Sequence, residues 1–249
     1  MQKETARLIE LDREHTLMSH IGAVLGWDQE TYMPSKAIEE RASQIALLEG
    51  LAHQKAVNPE IDELLATLEE KHDLSLDERA YVRKMRRDYD RETKLPEAFV
   101  TEYAKTTSIA QAKWAEAKKN NDFRAFEPHL EKIVDLSRSL AGYLNPNAKP
   151  YDVLLDLYEP GNTQQSVASI FSTMKAYLVD ILDKIRGRPQ IEDRCVGRYV
   201  DSETQERISL YFMNVLHYEM DRGRLDVSAH PFTTSLGADD IRLSLIHIS

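Results

Sequence analysis

Residues Thr163–Gly187 read TQQSVASIFSTMKAYLVDILDKIRG, the most regular segment in a chain of 249 residues. Val167, Ile170, Phe171, Met174, Leu178, Ile181, Leu182 and Ile185 recur every three or four positions, which places them on one helix face. Thr163 offers a capping hydroxyl at the start, and Gly187 and Pro189 close the segment. The helix is amphipathic and not apolar all round, so it is expected to form a wall of a larger helical body.

The same period runs through the rest of the chain. Leu8, Leu11, Met18, Ile21 and Leu25, with His15 in line, predict a first helix from about Thr5 to Leu25. A break is expected over Gly26–Pro34, GWDQETYMP, because proline disfavours a helical Met33. Ser35 is then expected to cap a helix carrying Ile38, Ala42, Ile45 and Leu48. Asn58-Pro59 is a helix start, and Ser75 with Glu78 three residues later is a capping box for a helix through Val82, Met85 and Tyr89. A long helix passes through Phe99, Tyr103, Ala110, Trp114 and Ala117; the next opens near Phe126-Glu127-Pro128 and buries Leu130, Ile133, Val134 and Leu140. Asn145–Pro150 is a loop, and a short helix over Tyr151–Tyr158 ends at Glu159-Pro160-Gly161. Ser202 with Gln205 is a further box, opening a helix with Ile208, Phe212 and Val215 that closes at Gly223. No repeat, low-complexity tract or linker divides the chain, so the expected fold is all-α with about eight or nine helices.

Composition agrees with a soluble globular protein: 42% hydrophobic, 30% charged, and only nine Gly and nine Pro. A net charge of −10 argues against nucleic-acid binding, which needs a basic face. The one basic run, Arg83–Arg87, is followed at once by Asp88, Asp90 and Glu92 and reads as a solvated helix face. The single cysteine, Cys195, excludes an internal disulfide and reads as a bystander. The first residues lack the apolar core of a secretion signal, and no apolar run is long enough to span a bilayer. The expected location is the cytoplasm, without membrane or nucleic-acid partners.

Few residues look chosen for chemistry. His15 and His20 are poorly spaced for one face, and His53, His72, His129 and His217 stand alone. No H-E-x-x-H occurs, so spacing assembles no metal site. Asp152 and Asp156 lie four apart on one helix face with Glu159 near, and either share a proton or act as cap and ion-pair partner. The helical pattern stops at Gly223–Arg242, GRLDVSAHPFTTSLGADDIR. Pro231 pushes His230 to an extended backbone, so this stretch is expected to form an edge strand or groove wall. Asp240 and Arg242, two apart, point the same way along a strand. An arginine so placed can grip a carboxylate through two nitrogens; the alternative is an ordinary surface pair.

Several motifs together resemble the carboxypeptidase Taq family, the thirty-second family of metallopeptidases. They are Trp27–Pro34 with Arg41, then Tyr151–Asp156 with Glu159-Pro160-Gly161, then Gly223-Arg224-Leu225-Asp226, and His230-Pro231-Phe232-Thr233-Thr234. They occur in the family's order and span nearly the whole chain. The resemblance implies an elongated, almost all-helical body forming one wall of a substrate groove, usually in a homodimer. It also implies removal of residues from peptide C-termini with broad specificity, using zinc or sometimes cobalt. His230-Pro231-Phe232 matches the family's His-Pro-Phe motif, and Asp240-Ile241-Arg242 the start of Asp-x-Arg-Ile-Thr-Thr. His230, Asp240 and Arg242 are therefore the expected substrate-positioning residues.

The chain departs from the family where the metal should be. H-E-x-x-H, the general-base Glu and the further Glu ligand are missing, so no catalytic or metal-ligating residue is expected here and no metal is expected to bind. Residues 1–242 are read as the N-terminal part of one metallocarboxypeptidase domain, inactive as given. Leu243–Ser249 resembles the translation of a transposon-end sequencing adapter, so His247 is not offered as a ligand. A non-catalytic helical interaction scaffold is the alternative, and a helical endopeptidase related by fold a third reading.

Overall fold

Helices form nearly everywhere the apolar period asks for them. The computed structural model describes residues 2–189, 191–194 and 197–245. These form α1 (Lys3–Thr31), α2 (Ile38–Ala56), α3 (Pro59–Glu69), α4 (Leu76–Glu92), α5 (Glu97–Asn120), α6 (Phe123–Leu144), α7 (Pro150–Leu155), α8 (Gln164–Arg186) and α9 (Ser202–Val215). Three short strands follow, β1 (Gly223–Val227), β2 (Thr233–Ser235) and β3 (Ile241–Leu245). Cys195 and His247 lie outside the described residues. The fold is mostly α-helical, as the sequence implies.

The chain divides into two units. Met1–Leu140 with Tyr218–Ile246 form the first and Ala141–His217 the second, the boundary falling within α6. The core of the first unit joins α1, α3 and α4: Leu8, Leu11, Ile61, Leu65, Leu68, Val82 and Met85 pack together with Leu74. Leu8, Leu65 and Leu68 are completely buried. Two caps act as predicted. Asn58 accepts a hydrogen bond from the Glu60 N–H at 3.0 Å, and Ser75 with Glu78 forms a reciprocal capping box. Glu78 also accepts from the Gln2 backbone N–H at 3.0 Å, tying the start of α1 to the start of α4. Arg86 of the basic run is held by Asp62, Glu69 and Asp90, and Lys84 by Asp88, so this face is self-neutralised.

Several boundaries differ from the expectation. α1 does not stop at Leu25 but continues to Thr31. A glycine in a helix interior costs only about 1 kcal/mol, and the burial of Trp27, 2% exposed, outweighs it. Arg41 fixes the end of α1 by donating to the Leu25 carbonyl at 2.7 Å and the Asp28 carboxylate at 2.6 Å. Ser35 opens a 3-10 turn over Ser35–Ala37 instead of capping α2, whose N-cap is Ala37. Ile21 stays exposed, because α1 turns Thr5, Leu8, Leu11, Gly22 and Trp27 inward. α6 starts at Phe123 and keeps Pro128 inside, forgoing one hydrogen bond; Leu136 is buried while Leu130 and Val134 are exposed.

In the second unit Thr163 caps α8 by accepting from the Ser166 N–H at 3.2 Å. Asp201, not Ser202, caps α9, because its carboxylate reaches the Thr204 N–H at 2.9 Å. α9 ends at Val215, ahead of the expected Gly223. The stripe of α8 buries nothing: Phe171 is 62% exposed, and Leu178 and Ile185 are about half exposed.

Three outcomes follow. Leu65→Ala should lower unfolding free energy by about 2–5 kcal/mol, read by denaturant titration. Hydrogen bonds from the Gln2 and Ser75 N–H groups and the Ser75 hydroxyl hold the Glu78 carboxyl down to about 2. A depressed carboxyl stabilises above its unfolded value, so this contribution is complete above about pH 4.5 and vanishes as pH falls toward about 2. Glu78→Gln should flatten the melting-temperature decline in that window; an unchanged slope contradicts the assignment. The uncovered α8 stripe should make the purified chain self-associate with rising concentration in sedimentation.

Candidate functional site

The extended stretch expected after the last long helix forms a small sheet of order β1-β3-β2. β1 pairs parallel with β3, Arg224 opposite Arg242 and Asp226 opposite Ser244. β2 pairs antiparallel with β3, Thr234 opposite Arg242. Gly223 is obligatory. A Cβ there would overlap the Tyr218 hydroxyl and the Ile241 carbonyl, because Tyr218 crosses the strand ends and donates to that carbonyl.

Placing Arg224 beside Arg242 sets like charges on neighbouring strands, which is unfavourable unless each is neutralised. Each arginine has its own carboxylate two residues away. Arg224 donates from Nε to Asp226 at 2.5 Å and from Nη2 at 2.9 Å. Arg242 donates from Nε and Nη2 to Asp240 at 2.8 and 2.7 Å. The Asp240 carboxyl is held below its ordinary range, first by these hydrogen bonds and then, against burial, by the positive charges.

Asp226 does more than pair. Its side chain is only 5% exposed. It accepts from the Trp27 indole N–H at 3.2 Å and from the Tyr32 hydroxyl, both at the end of α1. Arg224 also donates to the Tyr32 hydroxyl at 2.7 Å and lies over its ring at 5.3 Å. Burial works to raise the Asp226 carboxyl. Hydrogen bonds from Arg224 and Tyr32, the Arg224 charge and the Trp27 bond outweigh it, and the carboxyl sits below its ordinary range.

Trp27 is the common neighbour. Phe232 packs on it with ring centroids 5.0 Å apart, and the Arg242 guanidinium lies 5.9 Å from its centroid. His230 is exposed, with its ring edge-on to Trp114 of α5 at 6.2 Å. The loop carrying it is fixed at both ends. Ser228 donates to the His230 carbonyl at 2.7 Å, and Lys118 to the Ala229 carbonyl at 2.9 Å. Buried Ser244 accepts from the Phe232 N–H at 2.8 Å. Leu243, Ser244 and Leu245 are thus the second half of β3.

The three residues singled out by sequence are thus carried by one small sheet and the loop between its strands. Arg242 and Asp240 are directly paired, and Trp27 stands beside Arg242. The sequence reading missed Trp27, Tyr32, Arg224 and Asp226 as one network. Its signal was present as two motifs and an Arg-x-Asp that mirrors Asp-x-Arg, but nothing in spacing joins residues about 200 positions apart. The acidic cluster, by contrast, is structural. Asp152 accepts from the Gln164 N–H at 2.6 Å at the start of α8. Asp156 accepts from the N–H of Gly161, whose φ of 83° suits glycine in the turn. Among the described residues no three His, Cys, Asp or Glu side chains lie close enough to hold a metal ion, so they do not fit the metal that the resemblance implies.

Comparison with known proteins identifies the family. The family described as carboxypeptidase Taq (M32) metallopeptidase matches residues 7–246. Thermostable carboxypeptidase 1 of Pyrococcus furiosus is 36% identical over 247 residues, covering 98% of this chain and 50% of that protein. Carboxypeptidase 1 of Bacillus subtilis is 33% identical over 224 residues, covering 89% of this chain and 45% of that protein. The chain therefore spans about half the length of the curated relatives it matches. Among solved structures, that of BsuCP superimposes with a TM-score of 0.92 at 30% identity, over 99% of this chain and 50% of that one. An M32 carboxypeptidase from Deinococcus radiodurans R1 gives 0.79 at 32% identity, over 99% and 50%.

Asp226→Asn should cost about 1–3 kcal/mol of stability, because it weakens the buried acceptor shared by Trp27, Tyr32 and Arg224, while half-exposed Arg224 stays solvated. The loss should appear in thermal melts followed by circular dichroism; a variant as stable as the parent contradicts the assignment.

Proposed function

The chain belongs to the carboxypeptidase Taq family of metallopeptidases, and from that premise we propose that it is the substrate-positioning part of a metal-dependent carboxypeptidase. The proposed reaction is removal of residues from peptide C-termini with broad specificity. The observation behind this reading is that Phe232 of His230-Pro231-Phe232 and Arg242 of Asp240-x-Arg242 both meet Trp27, while the exposed His230 ring lies against Trp114.

A guanidinium carries five N–H donors, and Asp240 engages two nitrogens of Arg242. The remaining donors are available to a peptide carboxylate, which matches a planar fork. Asp240 in this reading sets the plane of the arginine, and His230 offers a ring nitrogen to a peptide amide. The cofactor of the whole protein is read as zinc, sometimes cobalt, acting as a Lewis acid. Residues 1–249 contain no H-E-x-x-H, so no step through a metal is assigned to them, and the chain as given is read as inactive. The whole protein is read as a homodimer on the family resemblance alone, and as cytoplasmic by default. No helix among the described residues is long and apolar enough to cross a membrane.

Sequencing genomic DNA past the Arg242 codon should find H-E-x-x-H within a few dozen codons; a stop codon there supports the scaffold reading instead. In the continuous protein, Arg242→Ala should lower kcat/KM on peptides with a free C-terminus by about 10- to 100-fold, the worth of a charge-assisted pair. Undiminished kcat/KM would remove Arg242 from the site. The 249-residue chain itself should release no amino acid in the presence of zinc. Trimming that a chelator abolishes would overturn the reading.

A further inference from the structure

The first unit contains a cavity of about 620 Å³ between α1, α2, α4 and α5, whose lining includes neither His230 nor Arg242. Its lining includes His15, Glu30, Glu49, His53 and Glu92, and no lysine or arginine. The apolar wall includes Ile45, Phe99 and Tyr103. His53, 6% exposed, engages Glu92 through Nδ1 at 3.0 Å. Glu49 is half-buried and has no hydrogen-bond or ion-pair partner among the described residues.

An unpaired carboxylate removed from water is costly, and the usual remedies are a cation or a proton. Burial pushes the Glu49 carboxyl up; His15 opposes this and Glu92 adds to it. Burial likewise raises Glu30, against a hydrogen bond from Gln111 and the charge of His230. Among the cavity's lining residues no lysine or arginine is present to neutralise Glu49, while Glu92 has only His53. A metal ion is the wrong size of answer, because among the described residues no three ligating groups converge on a point. A cation with an apolar stem suits a cavity that carries both carboxylates and an aromatic wall.

We propose that this cavity binds a primary alkylammonium, its head against Glu49 and Glu92 and its methylenes along Phe99 and Tyr103. Such a group is cationic at neutral pH, having an ordinary pKa of about 10.4. Two sources share this chemistry: a free diamine, or a lysine side chain in a peptide that also passes His230. Only the second rests on the function proposed above.

The test is calorimetric titration of the 249-residue chain with cadaverine, with pentanediol as the neutral isostere, and with acetyl-lysine amide. Cadaverine should bind and pentanediol should not. Glu49→Gln, nearly isosteric, should weaken cadaverine binding by about tenfold or more. Ala104→Phe fills the cavity from α5 without touching a carboxylate and should abolish binding. Circular dichroism melts establish that each variant is folded. Displacement of cadaverine by acetyl-lysine amide assigns the site to a peptide side chain, and cadaverine binding without displacement assigns it to a free amine. No cadaverine binding, equal binding of pentanediol, or an unchanged Glu49→Gln affinity each overturns the proposal.

Discussion

One buried carboxylate holds the end of the first helix to the last sheet. Asp226 accepts from Trp27 and Tyr32 of α1 and from Arg224 of its own strand. A carboxylate only 5% exposed is tolerable when its oxygens are filled by charged and neutral donors together. The consequence is geometric. α1 cannot shift or end early without freeing Asp226, so a helix that continues past Gly26 and a strand that begins at Gly223 are parts of one solution.

The sheet is an unfavourable charge arrangement made favourable locally. Parallel pairing of β1 with β3 sets Arg224 beside Arg242. Each arginine has a carboxylate two residues away, Asp226 within β1 and Asp240 just ahead of β3, reading Arg-x-Asp in one and Asp-x-Arg in the other. This places the two guanidinium planes by ion pairing within each segment and leaves cross-strand contact to the backbone. Trp27 then takes Phe232 on one side and Arg242 on another, so helix and both motifs share a single aromatic support.

The second unit shows the same economy in its turns. Asp152 and Asp156 spend their oxygens on backbone N–H groups at the start of α8 and in the turn before it. That is why two carboxylates four residues apart need not share a proton. The stripe of α8 has the period of a buried helix with no residue of it fully buried, so periodicity reports what a helix is suited to cover and not what covers it.

The sequence by itself determined the helical class, most helix starts and the family. The class and the helix starts rest on forces local to a few residues: the period of apolar side chains, the hydroxyl or carboxylate at a cap, and the fixed torsion of proline; the family rests on a resemblance of several motifs taken together. Asn58, Ser75 and Thr163 act as their types require, because a cap bonds only to its own first turn. His230, Asp240 and Arg242 could likewise be singled out from short motifs. Only the tertiary structure decided that α1 runs on to Thr31, that Asp201 caps α9, and that Trp27 and Asp226 meet. Those outcomes depend on burial and on partners nearly 200 residues away, and no local pattern carries the energy of a contact made at that distance along the chain.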